Sequence, residues 1–170
     1  MGRRKKIGIC GGIWDKVLLE YCENKRSNPT WAIGELDYRK EGEVGTYINS
    51  VENIIFVKKK DKETILDSIR LGNLYVLLNG RLNHYPVLNE FFVKKEIKIN
   101  ISHNDKISRK VIINLIKNGR LFQRYEQFTP IDLSIQDKMK EAKGYYRLEI
   151  ISVEDSSTII TNPIFVEGKK

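Results

Sequence analysis

Hydrophobic and polar residues follow two different spacings along this chain, one in each half. Between residues 14 and 21 the apolar side chains recur three and four positions apart, which predicts a helix with one apolar face. A second helix is predicted over residues 62–71, because Asp61 can cap its first turn and Gly72-Asn73 can end it. The first half therefore contains two amphipathic helices.

Short apolar runs flank these helices and predict strands at residues 7–10, 30–36, 53–57 and 74–78. Strands that alternate with helices are typical of an α/β layer, in which helices cover a sheet. Two helices are too few to cover both faces of a free-standing sheet. Residues 1–84 are therefore interpreted as an incomplete α/β layer with exposed apolar strand edges.

After residue 86 the apolar period changes to two. Isoleucines alternate with polar residues over 97–101, so one face of this strand is buried and the other is wet. Asn118-Gly119 follows an apolar run and predicts a type I′ hairpin turn, because both residues tolerate positive φ. Seven or eight such short strands predict an antiparallel β-sandwich over residues 85–170. The fold class as a whole is α+β.

One tyrosine makes the sandwich prediction more specific. Tyr146 lies in the run Gly-Tyr-Tyr-Arg-Leu at residues 144–148, the layout of an immunoglobulin-type tyrosine corner. Leu148 stands where antibody domains place a cysteine, two residues after the corner tyrosine. In such a corner the tyrosine hydroxyl binds upstream backbone and fixes the crossing between the sheets. The sequence therefore predicts an Ig-like sandwich held by packing, without a disulfide.

The formal net charge of +8 raises the question of a nucleic-acid partner. Six basic residues lie at the chain ends with no acid beside them: Arg3, Arg4, Lys5, Lys6, Lys169 and Lys170. Without these six, the rest of the chain has a net charge of about +2. Solvated ends are therefore the favoured interpretation. The alternative is polyanion binding through the basic N terminus and the lysines at 58–60.

Cys10 and Cys22 are too few for a disulfide framework, and we expect both to be reduced, buried thiols. No apolar run in the sequence approaches the length needed to span a bilayer. The basic N terminus is not followed by the apolar region of a signal peptide. The chain is therefore predicted to be cytoplasmic.

Residue types that catalyse reactions are sparse. The two histidines, His84 and His103, match no ligand spacing and are interpreted as exposed turn residues. The sequence has no Ser-His-Asp order, no phosphate-binding glycine loop and no CxxC pair. Glu35 and Asp37 remain: two positions apart on an extended backbone, their carboxylates would point the same way and could bind a hard cation. The alternative is a charged surface loop in which Arg39 and Lys40 neutralise both acids.

Several segments resemble one known family. The run Trp-Ala-Ile-Gly-Glu-Leu-Asp-Tyr at 31–38, and the helix at 62–71 with Gly-Asn-Leu-Tyr-Val after it, resemble the last stretch of a PHP-type hydrolase, the polymerase and histidinol phosphatase superfamily. Gly-Tyr-Tyr-Arg-Leu-Glu at 144–149 and Thr-Asn-Pro-Ile-Phe-Val at 161–166 resemble the all-β tail of some members. The resemblance spans nearly the whole chain, but only the C-terminal part of such a hydrolase.

The resemblance implies the remnant of a distorted β/α barrel that binds two or three divalent metals and hydrolyses phosphoesters. It implies a metal ligand at Asp37, where the family has the aspartate of an Asp-x-His pair, with Glu35 as a further candidate. Arg39 occupies the histidine position, and an arginine cannot deprotonate to coordinate a metal. The family's early His-x-His ligands have no counterpart in this sequence. We therefore expect no cofactor in the isolated chain, and zinc, manganese or iron only where a partner completes the site.

Three functions are compatible with these patterns. The favoured one is a non-catalytic binding or structural module derived from a PHP-type hydrolase, which associates with itself or with another chain through its N-terminal half. The second is part of an active metal-dependent phosphoesterase whose missing ligands come from another subunit. The third is nucleic-acid binding through the basic termini, with a strong dependence on salt.

Overall fold

A computed structural model of the chain describes residues 10–36, 47, 49–80, 84–137 and 142–168. The helices and strands in these ranges are α1 (Ile13–Cys22), β1 (Val51–Ile55), α2 (Lys62–Arg70), β2 (Leu74–Leu78), β3 (Pro86–Val93), β4 (Ile97–His103), β5 (Lys110–Lys117), β6 (Arg120–Phe128), β7 (Ile131–Ile135), β8 (Lys143–Ser152), β9 (Thr158–Thr161) and β10 (Ile164–Glu167). The structure is mostly antiparallel sheet with two short helices, which confirms the α+β class.

Both predicted helices are confirmed. α1 covers the stretch with helical apolar spacing, and it buries Trp14 and Leu18. α2 begins after Asp61, whose carboxylate accepts a hydrogen bond from the Thr64 N–H at 2.9 Å. It ends before Gly72, which has the left-handed φ of 71° that commonly closes a helix.

The strands form two antiparallel sheets. Within the described residues, the larger has seven strands in the order β1-β2-β9-β8-β5-β6, with β10 also paired to β8, and the smaller has the order β3-β4-β7. The turn between β5 and β6 contains Asn118 and Gly119 at φ 50° and 74°, as the hairpin prediction requires. Strands β9 and β8 lie at the centre of the larger sheet.

The two sheets face each other across one apolar core. Alternate residues of each strand enter it, so the predicted alternation over 97–101 is confirmed. Its most buried members include Ile97, Ile99 and Ile101 of β4 and Ile113, Leu115, Leu148 and Ile150 of the larger sheet. The intervening residues of the larger sheet point away from this core. We call that side of the larger sheet its outer face.

The first half of the chain differs from the predicted α/β layer. Residues 30–36 form no strand, so that prediction is wrong. A short apolar run does not by itself determine whether its backbone pairs with a sheet. β1 and β2 pair antiparallel, whereas sheets built from alternating strands and helices are parallel. The strand predicted at 7–10 lies outside the described residues except for Cys10, which is in a turn.

The larger sheet contains strands from both halves of the chain. β2 pairs with β9, with Tyr75 opposite Thr161 and Leu77 opposite Ile159. Tyr75 and Leu77 lie in the same core as the β4 and β8 side chains. The division into residues 1–84 and 85–170 therefore stays a prediction about folding units, and one sheet crosses it.

Candidate functional site

Helix α1 packs on the outer face of the larger sheet, against β8. Trp14, Leu18 and Cys22 form a small apolar cluster with Tyr145, near the start of β8. Tyr145 precedes the core-facing Tyr146, so it points to the opposite side of the sheet. This packing brings the first turn of α1, and with it Asp15, directly over the sheet.

A buried ion pair joins α1 to β8. Arg147 donates through Nε to Asp15 Oδ1 at 2.8 Å and through Nη2 to Oδ2 at 2.7 Å. The Tyr145 hydroxyl donates to Oδ1 at 2.7 Å, and the Gly11 N–H donates to Oδ2 at 2.7 Å. Asp15 is 1% exposed and Arg147 is 0% exposed. Each carboxylate oxygen is therefore held by two donors in a site closed to solvent.

The electrostatics of this cluster fix its charge state. Burial alone would raise the pKa of Asp15, but the bonds from Arg147 and Tyr145 outweigh it and lower that pKa. Burial raises the pKa of the Tyr145 phenol, and the adjacent carboxylate raises it further. At neutral pH the carboxylate is therefore ionised and saturated with donors. That arrangement anchors a helix and leaves no free lone pair for a general base.

The Arg147 guanidinium also lies over the Trp14 ring, 5.0 Å from its centre. Its Nη1 atom is buried and makes no hydrogen bond within the described part of the chain. The half-buried Cys10 thiol donates to the Gly119 carbonyl at 3.3 Å. Both cysteines are free, which confirms the prediction of unpaired thiols, but only Cys22 is buried. Burial raises the pKa of each thiol.

Residues 30–36 cross the outer face beside α1, held by two asparagine side chains. Asn162 accepts from the Ala32 N–H at 2.6 Å and donates to the Ala32 carbonyl at 3.2 Å. Asn53 makes the same two bonds with Gly34, at 2.8 and 2.9 Å. A side-chain amide can satisfy both backbone groups of one residue. The segment is thereby fixed on the sheet without becoming one of its strands.

An open apolar groove lies between this segment and α1. We call it the outer-face groove; its volume is about 360 Å³. Its lining consists of Trp14, residues 30–34, Val76, Leu78 and Ile160. The side chain of Ile33 is 61% exposed. The groove is therefore apolar along its floor and walls and open to a partner from outside.

The aromatic wall of the groove is held in place by α2. The Trp31 indole N–H donates to the Arg70 carbonyl at 2.8 Å. Gly72 lies against the face of the indole, since a Cβ at this position would be 2.4 Å from the ring. The groove thus depends on contacts among α1, α2 and the 30–36 segment.

The predicted acidic pair is described only in part. Glu35 is exposed near the end of the 30–36 segment, while Asp37 and Arg39 lie outside the described residues. Within the ranges that the structure describes, no group of three or more His, Cys, Asp and Glu side chains could hold a metal ion. A metal site at Glu35 and Asp37 therefore stays a prediction.

The predicted nucleic-acid contacts, Arg3, Arg4, Lys5 and Lys6, also lie outside the described residues. The lysines at 58–60 are exposed between β1 and α2, and Lys59 pairs with Asp61 at 3.6 Å. Exposed ion pairs of this kind contribute little. Nucleic-acid binding therefore stays a prediction.

Both histidines converge on one aspartate, which their spacing in the sequence does not indicate. His84 Nδ1 lies 2.9 Å from Asp105 Oδ2, and His103 Nδ1 lies 2.8 Å from Oδ1. Arg109 donates to Oδ2 through Nε and Nη2 and binds Glu154 through Nη1. His84 is exposed, as predicted. The same prediction is wrong for His103, which is 3% exposed because it continues the inward-facing alternation of β4.

Asp105 organises the turn that follows β4. Burial alone would raise the pKa of its carboxyl, but the donors from Arg109, the Ile107 N–H and His103 lower it well below its ordinary value. All of these donors come from the turn or its flanks. The cluster therefore has the character of a structural turn stabilised by charge.

The predicted tyrosine-corner residue binds an upstream side chain, and the corner itself stays a prediction. Tyr146 lies in the core, and its hydroxyl donates to the side chain of Asp137, nine residues upstream. The corner prediction specified upstream backbone as the acceptor. Leu148, two residues on, is fully buried in the core, as its place in the motif requires.

Asp15 is the main residue of the site that the spacing argument did not single out. A signal was present, since Asp15, Leu18 and Cys22 are three and four positions apart and share one face of α1. An acid on the buried stripe of a helix needs a cationic partner. That partner, Arg147, is 132 positions away and cannot be assigned from local pattern.

Comparisons with protein-family models, curated proteins and solved structures found no match. Among the described helices, none is long and apolar enough to cross a membrane.

Proposed function

We propose that the chain is a non-catalytic binding module, derived from a PHP-type metal-dependent hydrolase, that takes an apolar partner in the outer-face groove in the cytoplasm. One observation carries the proposal: polar side chains of the family-like segments are used to hold other parts of this chain. Arg147 and Tyr145 hold Asp15, and Asn162 holds Ala32. These polar groups bind the elements that flank the groove and are therefore not directed at a ligand.

The descent and the Ig-like architecture belong to this proposal. The order β3-β4-β7 in one sheet and β9-β8-β5-β6 in the other matches strands A-B-E and G-F-C-C′ of an immunoglobulin-type sandwich. On this assignment Tyr146 falls on the strand equivalent to F, where the tyrosine corner belongs. The link to a PHP barrel depends on the sequence motifs alone. The strand pairing does not support it, because β1 and β2 pair antiparallel whereas the strands of a β/α barrel are parallel.

The chemistry of the groove favours an apolar ligand over a phosphoester. A phosphate site needs cations or free backbone N–H groups directed at the anion. The lining residues are instead aromatic and aliphatic with one threonine and one glycine, and the Ala32 and Gly34 N–H groups are bound by asparagines. Burial of apolar surface is the interaction that such a lining provides.

Tryptophan fluorescence tests this proposal directly, because both tryptophans of the chain, Trp14 and Trp31, line the groove. The probe is the apolar dye ANS, titrated into folded protein. We expect saturable energy transfer from tryptophan to dye. Ile33→Glu places a carboxylate beside the apolar lining and should weaken dye binding by about tenfold.

Ile107→Glu is the matched control, since Ile107 is 55% exposed and lies outside the groove. Equal loss of dye binding in both variants would exclude the groove as the site. The non-catalytic part of the proposal is tested separately, by elemental analysis of protein purified without chelator and by a phosphodiesterase assay with Mn²⁺ or Zn²⁺. Stoichiometric metal together with metal-dependent hydrolysis would overturn it.

A further inference from the structure

Among the strands that the structure describes, β6 is a long edge strand. It pairs with β5 on one side and ends the larger sheet on the other, within the described strands. Its nine residues, Arg120–Phe128, contain no proline, glycine or lysine. The one irregularity lies near its start, at Phe122, so the backbone from 123 to 128 is regular. Such an edge presents unpaired N–H and C=O groups to a further strand.

The other edges of the two sheets are shorter or interrupted. β1 and β7 have five residues each. β3 begins with Pro86 and has a bulge at Asn89, both of which hinder the addition of a strand. β6 is therefore the edge best able to accept a partner among those described.

The sequence of β6 is self-complementary about Tyr125. In an antiparallel pair of two copies centred on Tyr125, Arg124 of each copy faces Glu126 of the other, and Gln123 faces Gln127. Arg124 and Glu126 lie on the outer face, opposite Asn114 and Ile112 of β5. Both are exposed. Opposite charges directly across a strand pair stabilise it, and like charges destabilise it.

We propose that β6 pairs with β6 of a second copy of this chain, in the antiparallel register centred on Tyr125, and so joins two larger sheets into one. The interface is isologous, because the same strand serves both copies. The inference does not rest on the proposed function, and β6 lies outside the outer-face groove. It adds a surface in the second half of the chain to the N-terminal association expected from the sequence.

Sedimentation velocity over concentrations up to about 1 mM, the weak end of specific association, tests the proposal. We expect a concentration-dependent monomer–dimer equilibrium. Arg124→Glu places two negative charges opposite each other at both symmetric positions of the interface. Glu126→Arg likewise places two positive charges opposite each other. Each should raise the dissociation constant at least about tenfold. The double exchange, Arg124→Glu with Glu126→Arg, restores opposite charges and should restore association.

Lys60→Glu is the control for the charge change, since it alters net charge by the same amount at an exposed position away from β6. A readout without any substitution is amide hydrogen exchange, in which protection of residues 123–128 should rise with protein concentration. A monomer at every concentration would overturn the proposal. So would association that survives both single exchanges, or a double exchange no better than either one. ANS binding to Arg124→Glu should be unchanged, which separates this test from that of the groove.

Discussion

Arg147 and Asp15 form a bidentate ion pair that is sealed from solvent although the two residues are 132 positions apart. The pair connects the first described helix to a central strand of the larger sheet. A buried pair of this kind contributes little relative to an apolar replacement, but removal of one partner leaves an unpaired charge in a closed site. Displacement of α1 from the sheet would therefore separate the two charges, which favours the docked position of the helix.

Asp15→Ala should lower the free energy of unfolding by about 3–5 kcal/mol, because it leaves the Arg147 guanidinium buried without its carboxylate. Chemical denaturation followed by circular dichroism measures this loss. Glu20→Ala is the matched control: Glu20 lies on the same helix and pairs with Arg26 at 2.6 Å, but both side chains are exposed. The control should lose at most about 1 kcal/mol. Similar losses in both variants would contradict the structural role of the buried pair.

Local pattern was sufficient for the elements whose stabilising partners lie nearby in sequence. The cap of α2 by Asp61 and the hairpin turn at Asn118 follow from side-chain and backbone preferences within four residues. The alternation over 97–101 predicts which face of β4 is buried, since the pleat has a period of two.

Long-range pairing was beyond that pattern. The apolar run at 30–36 is only partly buried, and the backbone groups of Ala32 and Gly34 are bound by Asn162 and Asn53, which no local rule connects to it. The apolar runs predict strands at β1 and β2, but their antiparallel pairing and the β2–β9 contact depend on the sheet as a whole. The outer-face groove is a product of these long-range contacts.

Gly72→Ala should destabilise the protein through a direct collision with Trp31. The added Cβ would lie 2.4 Å from the indole, in addition to the strain of a φ of 71°. Gly11→Ala is the matched control, because Gly11 has a φ of 77° but its Cβ would approach other atoms no closer than 3.4 Å. We expect Gly72→Ala to lose about 1–3 kcal/mol more than the control in thermal unfolding. An equal loss of stability in both variants would show that the Trp31 indole can move away from the added Cβ without destabilising the fold.

The stability of the protein should fall as the pH is lowered below about 4, the ordinary pKa of an aspartate. The pKa values of Asp15 and Asp105 are both lowered in the folded state. A carboxyl with a lowered folded pKa stabilises the fold above its unfolded pKa, and this contribution is lost as the pH falls towards the folded pKa. Urea midpoints between neutral and acidic pH measure the effect.

Asp105→Asn isolates the part of this dependence that comes from the turn after β4. The variant should be less stable at neutral pH, because an amide cannot match the carboxylate's bonds to Arg109 and the two histidines. Its midpoint should also decline less steeply on acidification. Asp132→Asn, at an exposed position of β7, controls for the loss of one negative charge. An acid dependence as steep as that of the unmodified protein would count against the assignment to Asp105.

Asn162→Ala should release the 30–36 segment from the sheet while leaving the core intact. The substitution removes both bonds to Ala32 and a longer bond to the Leu74 carbonyl at 3.4 Å. Loss of the two bonds to Ala32 should make local opening of the segment easier by about 1 kcal/mol for each bond. Chymotrypsin cleavage after Trp31 under native conditions reports this opening. Asn89→Ala is the matched control, since its amide bonds only exposed side chains of β4. Faster cleavage in Asn162→Ala but not in the control, with both variants folded, is the expected result. Unchanged cleavage would mean that Asn162 is dispensable for holding the groove wall. The contacts of Trp31 with Arg70 and Gly72, together with the bonds from Asn53 to Gly34, would then keep the segment in place.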